Sequence, residues 1–198
     1  MTLTVTVAFL DASVLYPAPL RDLLLELAVS DCYRAKWSNA VHNEWIRALL
    51  RDRPDIEVAR LERTRQLMDA HVRDALVSGF EDLVSAIQLP DPDDRHVVAA
   101  AKRGGAAVIL TVNLKDFPTP ALVPFGLVAE HPDGFLTRLC RESPSRFLEA
   151  LERVRARLRN PPVSHEKHIA ALRRAGLNTM TAEILSHTTT RSTGPPSP

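Results

Sequence analysis

Two short apolar stretches, each leading into an aspartate, constrain this chain more than anything else in its sequence. Thr4 to Leu10 is β-branched and apolar and is broken by Asp11-Ala12-Ser13; Ala106 to Thr111 is a second such run, and Asp116 follows it. Runs of this composition favour strands buried on both faces. Between them the periodicity is helical: in Leu20 to Val29 the apolar positions 20, 23, 24, 27 and 28 form one stripe. Strand and helix in alternation predict an α/β chain with a parallel central sheet covered by helices on both faces. Ligands of such sheets bind beyond the carboxyl ends of the strands, where Asp11 and Asp116 fall.

The remaining elements follow from caps and breakers. Ser38 is an N-cap for a helix through about Arg51, with Val41, Trp45, Ala48 and Leu49 on its apolar face and Glu44 at the edge of that face. Pro54 stops it, a long charged helix covers Asp55 to Leu76, and Ala75 to Val77 makes a short strand. The turn Leu89 to Asp94 leads into a helix from Arg95 to Arg103, ended by Gly104-Gly105. That glycine pair precedes a strand, so it is a helix cap and not a phosphate loop, and no GxGxxG fingerprint occurs. Leu127 to Ala129 reads as a last strand and Gly134 to Cys140 as a helix. Further helices run from Ser143-Pro144 to about Arg159 and from Ser164 to Ala175, and Thr179 or Thr181 opens a final turn or two. The expected organisation is a body over residues 1–140, a small helical appendage over 141–187 and a disordered Thr/Ser/Pro/Gly-rich tail over 188–198.

Composition excludes several classes. With 198 residues, 25% charged and 45% apolar, the chain has the balance of an ordinary globular protein and room for one full-sized core. Its longest apolar runs fall short of the roughly 20 residues that span a bilayer, and Met1 to Leu10 lacks a basic leader, so a cytoplasmic location is expected. Cys32 and Cys140 are too few for a disulfide framework or a thiolate metal site. Charge is uneven: residues 1–140 hold 15 basic and 19 acidic side chains, residues 141–198 hold 10 and 5. The basic part suggests a phosphate-contacting surface, against the alternative of plain solvated helix faces.

Asp11 and Asp116 near strand ends, Asp94 at a helix start and Glu44 on a helix would, if brought together, make an oxygen-only pocket. Such a pocket suits Mg²⁺ or Mn²⁺, since clustered carboxylates repel each other unless a cation compensates. Hydrolysis of a phosphodiester by metal-activated water is the reaction class that follows. Asp91 and Asp93 are further candidates for the metal shell, with ordinary turn chemistry beside proline as the stronger alternative. Arg21, Arg47, Arg51, Arg95 and Lys115 are candidates for substrate phosphates. His42 and Glu44 point about 200° apart on a helix and cannot share an ion, and neither zinc spacing nor a GxSxG elbow occurs. A phosphatase using Asp11 is a rival, weakened because the second aspartate such enzymes place two residues later is Ser13 here.

The motifs LDASVLY, HNEWIRALL, LPDPDDRHVVAAA and ILTVNLKDFP together resemble those of the PIN-domain nucleases, in particular VapC-like toxins carrying an added C-terminal helical segment. The resemblance covers about residues 5–135. It implies a PIN-like three-layer α/β/α fold and a Mg²⁺- or Mn²⁺-dependent endoribonuclease, the toxin of a type II toxin–antitoxin pair. Asp11, Glu44, Asp94 and Asp116 would be the catalytic metal site, with Glu44 assigned mainly by the resemblance. Ser13 would support Asp11, and Asn113 stands where many relatives have Asp, which favours one ion over two. RNA is then the substrate, and an antitoxin protein and a homodimer are the implied partners. The competing expectation is a PIN-like RNA- or protein-binding module without catalysis.

Overall fold

The computed structural model describes residues 5–192. Five parallel strands form one sheet in the order β3-β2-β1-β4-β5: β1 is Val7–Leu10, β2 Arg34–Ser38, β3 Leu76–Val77, β4 Val108–Leu110 and β5 Val128–Glu130. The chain builds outward from β1 in one direction to β2 and β3, and in the other to β4 and β5. The crevice between the carboxyl ends of β1 and β4 is therefore the topological switch point, the default ligand position of this architecture. Leu10 pairs with Leu110, and the Asp11 amide donates to the Leu110 carbonyl at 3.1 Å, so the residues that follow the two strands stand side by side.

Helices flank the sheet, the arrangement of a PIN-like fold. They are α1 Ala12–Leu15, α2 Ala18–Val29, α3 Asn39–Asp52, α4 Val58–His71, α5 Glu81–Val84, α6 Arg95–Arg103, α7 Thr119–Leu122, α8 Pro132–Glu142, α9 Pro144–Arg157, α10 His165–Arg174 and α11 Asn178–Ser192. α6 lies across β1, β2 and β4, and its Val97 to Ala101 are all buried; an unbroken run of small or β-branched side chains lets the helix approach the strands closely. It ends where a Cβ on Gly104 would meet Val77 Cγ2 at 2.8 Å and where Gly105 takes a positive φ of 66°. Ser38 caps α3 by accepting from the Val41 amide at 3.3 Å.

Several elements differ from the sequence expectations. β2 was not foreseen, because Arg34-Ala35-Lys36-Trp37 offers only two apolar residues; both are buried while Arg34 is exposed. β1 begins at Val7, and residues 1–4 lie outside the described part. α4 stops at His71 rather than Leu76, since the chain must turn through Asp74, at a positive φ of 55°, to enter β3. Ser143 makes no side-chain cap on α9, which starts on Pro144 alone. α11 is far longer than a turn or two: the Asp133 carboxylate of α8 accepts from the amides of Thr179 at 2.9 Å and Met180 at 2.8 Å, a cap delivered from another helix. It runs through Ser192, past residue 187 where the appendage was expected to end; residues 193–198 of the expected tail lie outside the described part.

The C-terminal helices are built onto the body. α11 packs on α8 and α10, while α9 and α10 cover α2. Glu26 of α2, 3% exposed, is gripped by Arg153 Nε and Arg157 Nη2, each at 2.6 Å. Arg141 pairs with Glu183 at 2.7 Å and Arg155 with Glu152 at 2.7 Å. Much of the basic charge expected to face phosphate is thus engaged with carboxylates. No described helix is long and apolar enough to cross a membrane.

Candidate acidic site at the carboxyl edge of the sheet

Asp11 is the most firmly held of the acids. It is 6% exposed and acts as N-cap of α1, Oδ1 accepting from the Ala12 amide at 2.7 Å. Oδ2 accepts from Ser13 Oγ at 2.6 Å and from Thr111 Oγ1 at 2.8 Å. Ser13 Oγ in turn accepts from the Val112 amide at 3.2 Å, and Thr111 Oγ1 from the Asn113 amide at 3.0 Å. Two hydroxyls thus tie the end of β4 to the end of β1 through one carboxylate. With both oxygens occupied and the side chain buried, Asp11 has no free line of attack on phosphorus, which argues against a phosphatase that uses it as nucleophile.

Thr111 is a site residue that sequence reasoning missed. The signal was present: it follows Leu110 as Asp11 follows Leu10, and a parallel pairing of the two runs places them together. Thr111→Val, which keeps the shape and deletes the hydroxyl, is expected to cost about 1 kcal/mol in urea unfolding. Thr111→Ser should recover most of it; equal loss in both variants would mean that the methyl, not the hydroxyl, matters.

Asp94 stands at the helix start as expected, at the N-cap position of α6, but makes no side-chain cap bond that would fix it there. Its carboxyl is pushed up to about 6, first by burial and then by the charges of Asp11, Asp91, Asp116 and Glu44. The other three acids singled out in the sequence are thus near enough for their charges to act on Asp94. Asp116 is half-buried in a short 3₁₀ turn over Leu114–Asp116, its amide held by the Asn113 carbonyl at 3.0 Å. Asn113 is exposed, and its hydrogen bonds among the described residues run through its backbone.

Glu44 Oε1 stands 2.6 Å from His96 Nε2, in an ion-pair approach not aligned as a hydrogen bond. Burial lowers the His96 pKa, but Glu44, Asp11 and Asp94 outweigh it and leave the ring raised. His96 lies two residues after Asp94 and is a neighbour of the acids that no motif spacing in the sequence singles out. Asp91 caps the 3₁₀ turn Pro92–Asp94 by accepting from the Asp93 amide at 2.9 Å, the turn chemistry weighed against a ligand role; Asp93 is exposed.

Of the basic candidates, Arg21 is not available to phosphate. It is buried, its Nη1 donates to the Leu15 carbonyl at 3.0 Å, and its guanidinium lies 5.1 Å from the Trp45 ring centre. Arg51 pairs with Asp52 at 3.0 Å. Arg47 and Lys115 are exposed, and Arg95 is half-buried with its Nε unpartnered. His42 belongs to the core: its Nδ1 accepts from Trp45 Nε1 at 3.0 Å and its Nε2 lies 3.1 Å from Asp69 Oδ1.

The donor set fits a hard divalent cation in its chemistry, being oxygen-only and carrying mutual repulsion that a cation would relieve. Its side chains do not stand as a closed ligand shell: among the described residues no three His, Cys, Asp or Glu groups are placed to hold one ion together. Glu44 faces His96, and Asp11 faces its two hydroxyls.

Residues 132–186 match the family model described as the VapC50 C-terminal domain. The chain is 50% identical over 62 residues to "Putative ribonuclease VapC50" of Mycobacterium tuberculosis (strain ATCC 25618 / H37Rv), a match covering 31% of this chain and 36% of that relative's length. No solved structure matches the chain. A parallel α/β sheet with acids at its switch point, carrying α8 to α11 over a matched C-terminal domain, makes the chain similar to the VapC-like ribonucleases.

Proposed function

We propose that the protein is a Mg²⁺- or Mn²⁺-dependent endoribonuclease of the VapC type, the toxin of a toxin–antitoxin pair. The observation that carries this is the raised carboxyl of Asp94, pushed up first by burial and then by the charges of Asp11, Asp91, Asp116 and Glu44, three of which come from separate stretches of chain. Such a gathering of charge, met by His96 at Glu44, destabilises the fold, and a bound cation would relieve it. Asp11, Asp94, Asp116 and Glu44 would hold the ion. When bound, it supplies Lewis acidity at the scissile phosphate and water acidic enough to be a nucleophile at neutral pH.

The chain's own residues supply the rest. Ser13 and Thr111 fix the Asp11 carboxylate, so one oxygen ligand is set before substrate arrives. Asp94, free of capping bonds, can turn toward a cation, and His96 keeps Glu44 at the rim of the group. In this reading residues 1–140 are the catalytic body, residues 141–187 the helical appendage, and the antitoxin covers the acidic groove. The matched C-terminal domain begins earlier, at residue 132, and so includes α8.

A binding module without catalysis is the second reading, favoured by the lack of any ready trio of ligands among the described residues. Calorimetric titration with Mn²⁺ separates the two. Saturable binding at up to millimolar ion, with RNA cleavage in Mg²⁺ that EDTA stops and Asp116→Asn removes, is the expected result. Failure of pure protein to bind Mn²⁺ or to cut RNA under these conditions would leave the binding module standing.

A further inference from the structure

The appendage brings a second feature to the start of α2. A cavity of about 390 Å³ lies between the N-terminus of α2, the end of α9 and one face of α10, with Ala18, Pro19, Val154, Leu158 and Ala171 making an apolar floor. Lys167, Ala171 and Arg174 share that face of α10 by helical spacing, and both basic groups are exposed at the rim. The ion pairs around them use Arg153, Arg155, Arg157 and His165, leaving Lys167 and Arg174 without a carboxylate among the described residues. Asp22 also lines the cavity, and its charge is met by Arg21 at 3.7 Å.

His168 points to a ligand independently. It lines the same cavity, is 2% exposed, and has no hydrogen-bond partner at either ring nitrogen. A buried ring with donor and acceptor both unmet is a defect unless something entering the cavity meets them. No side chain caps α2 at Pro17, so the positive end of that helix also faces this region. Ala18 comes seven residues after Asp11, a chain reach of at most about 25 Å, so the cavity opens within a few nucleotides of the acids.

We propose that this cavity is a subsite for one nucleotide of the RNA strand, its phosphate between Lys167 and Arg174 and its base on the apolar floor beside His168. An apolar floor under a two-cation rim suits a nucleotide better than a bare anion, and its volume is that of a small-ligand pocket. The subsite rests on the ribonuclease reading above, and through it the appendage would grip the strand on one side of the cut.

The test uses the full chain in EDTA, where a labelled short oligoribonucleotide binds uncut and fluorescence anisotropy reads affinity against salt. Lys167→Ala/Arg174→Ala should raise Kd about tenfold at low salt and reduce the salt slope by about 0.7, the share of one phosphate on a single strand. Ala171→Phe, which fills the floor without changing charge, should weaken binding about fivefold at unchanged slope. In Mg²⁺, cleavage of a dinucleotide too short to reach the cavity should be unaffected in both. Wild-type affinity and slope in both variants, from a protein that binds and cuts RNA, would overturn the subsite while leaving the ribonuclease reading intact. Loss of oligoglutamate binding in the double variant, with RNA binding kept, would overturn it in favour of an acidic peptide. Wild-type protein that neither binds nor cuts RNA would remove the ribonuclease reading and the subsite together.

Discussion

Asp94→Asn is expected to abolish RNA cleavage, by about a thousandfold or more, and at the same time to make the metal-free fold more stable. The two effects have one cause. Asp94 sits among Asp11, Asp91, Asp116 and Glu44, and burial together with their charges raises its carboxyl to about 6. An acid whose folded pKa exceeds its unfolded value near 3.9 weakens the native state as pH rises between the two, and the full penalty holds above about pH 6. Discounted for a carboxylate that is only half-buried, that penalty is about 1 kcal/mol, or about 2–4 °C in Tm for a chain of this size.

Asparagine removes the penalty, so in EDTA at pH 7.5 the variant should melt above the parent, and the gap should close near pH 4. Mn²⁺ reverses the order: at about a hundred times its Kd it should stabilise the parent by about 2.7 kcal/mol and the variant hardly at all. Melting curves at two pH values, with and without Mn²⁺, check every part. A variant that still cuts RNA, or that melts below the parent in EDTA at neutral pH, would show that the four acids are not acting as one charge cluster.

The sequence carried the sheet's centre and most of the acids because both are written locally. β1 and β4 are continuous apolar runs, and the acids after them are visible as the residues that break the pattern. What it did not carry depends on contacts distant in the chain. β2 hides because an Arg-Ala-Lys-Trp alternation buries one face only, and nothing local says which partner covers Trp37. α11 is helical well beyond its own propensity because α8 lends it a cap in Asp133 and a surface to pack on. In the site, Thr111 and His96 act through neighbours about a hundred and about fifty residues away, Asp11 and Glu44, and only strand register or the packed fold reveals them. Arg21 shows the opposite error: a cation near the switch point in sequence turns inward onto Trp45 and the Leu15 carbonyl.

Removing both Arg153 and Arg157 is expected to cost more stability than Glu26→Gln, although both changes act on the same ion-pair cluster. Glu26 is 3% exposed, whereas the two arginine side chains are 44% and 66% exposed. In Glu26→Gln the arginines can turn to water and the amide oxygen still accepts from Arg153 and Arg157, so the loss should be about 1–2 kcal/mol. In Arg153→Ala/Arg157→Ala the carboxylate stays inside α2 with neither cation, and stranding a buried charge costs about 3–5 kcal/mol. The loss should be spatially confined, because α9 and α10 cover α2 and this grip joins α9 to it. Amide exchange in α9 and α10 should accelerate before exchange in β1, β4 and α6, while the acids beyond β1 and β4 keep their Mn²⁺ affinity. Urea unfolding of the two variants decides the matter: if the double arginine variant were no less stable than Glu26→Gln, the contact would be a surface ion pair of little consequence, and α9 would be held on α2 by its apolar packing.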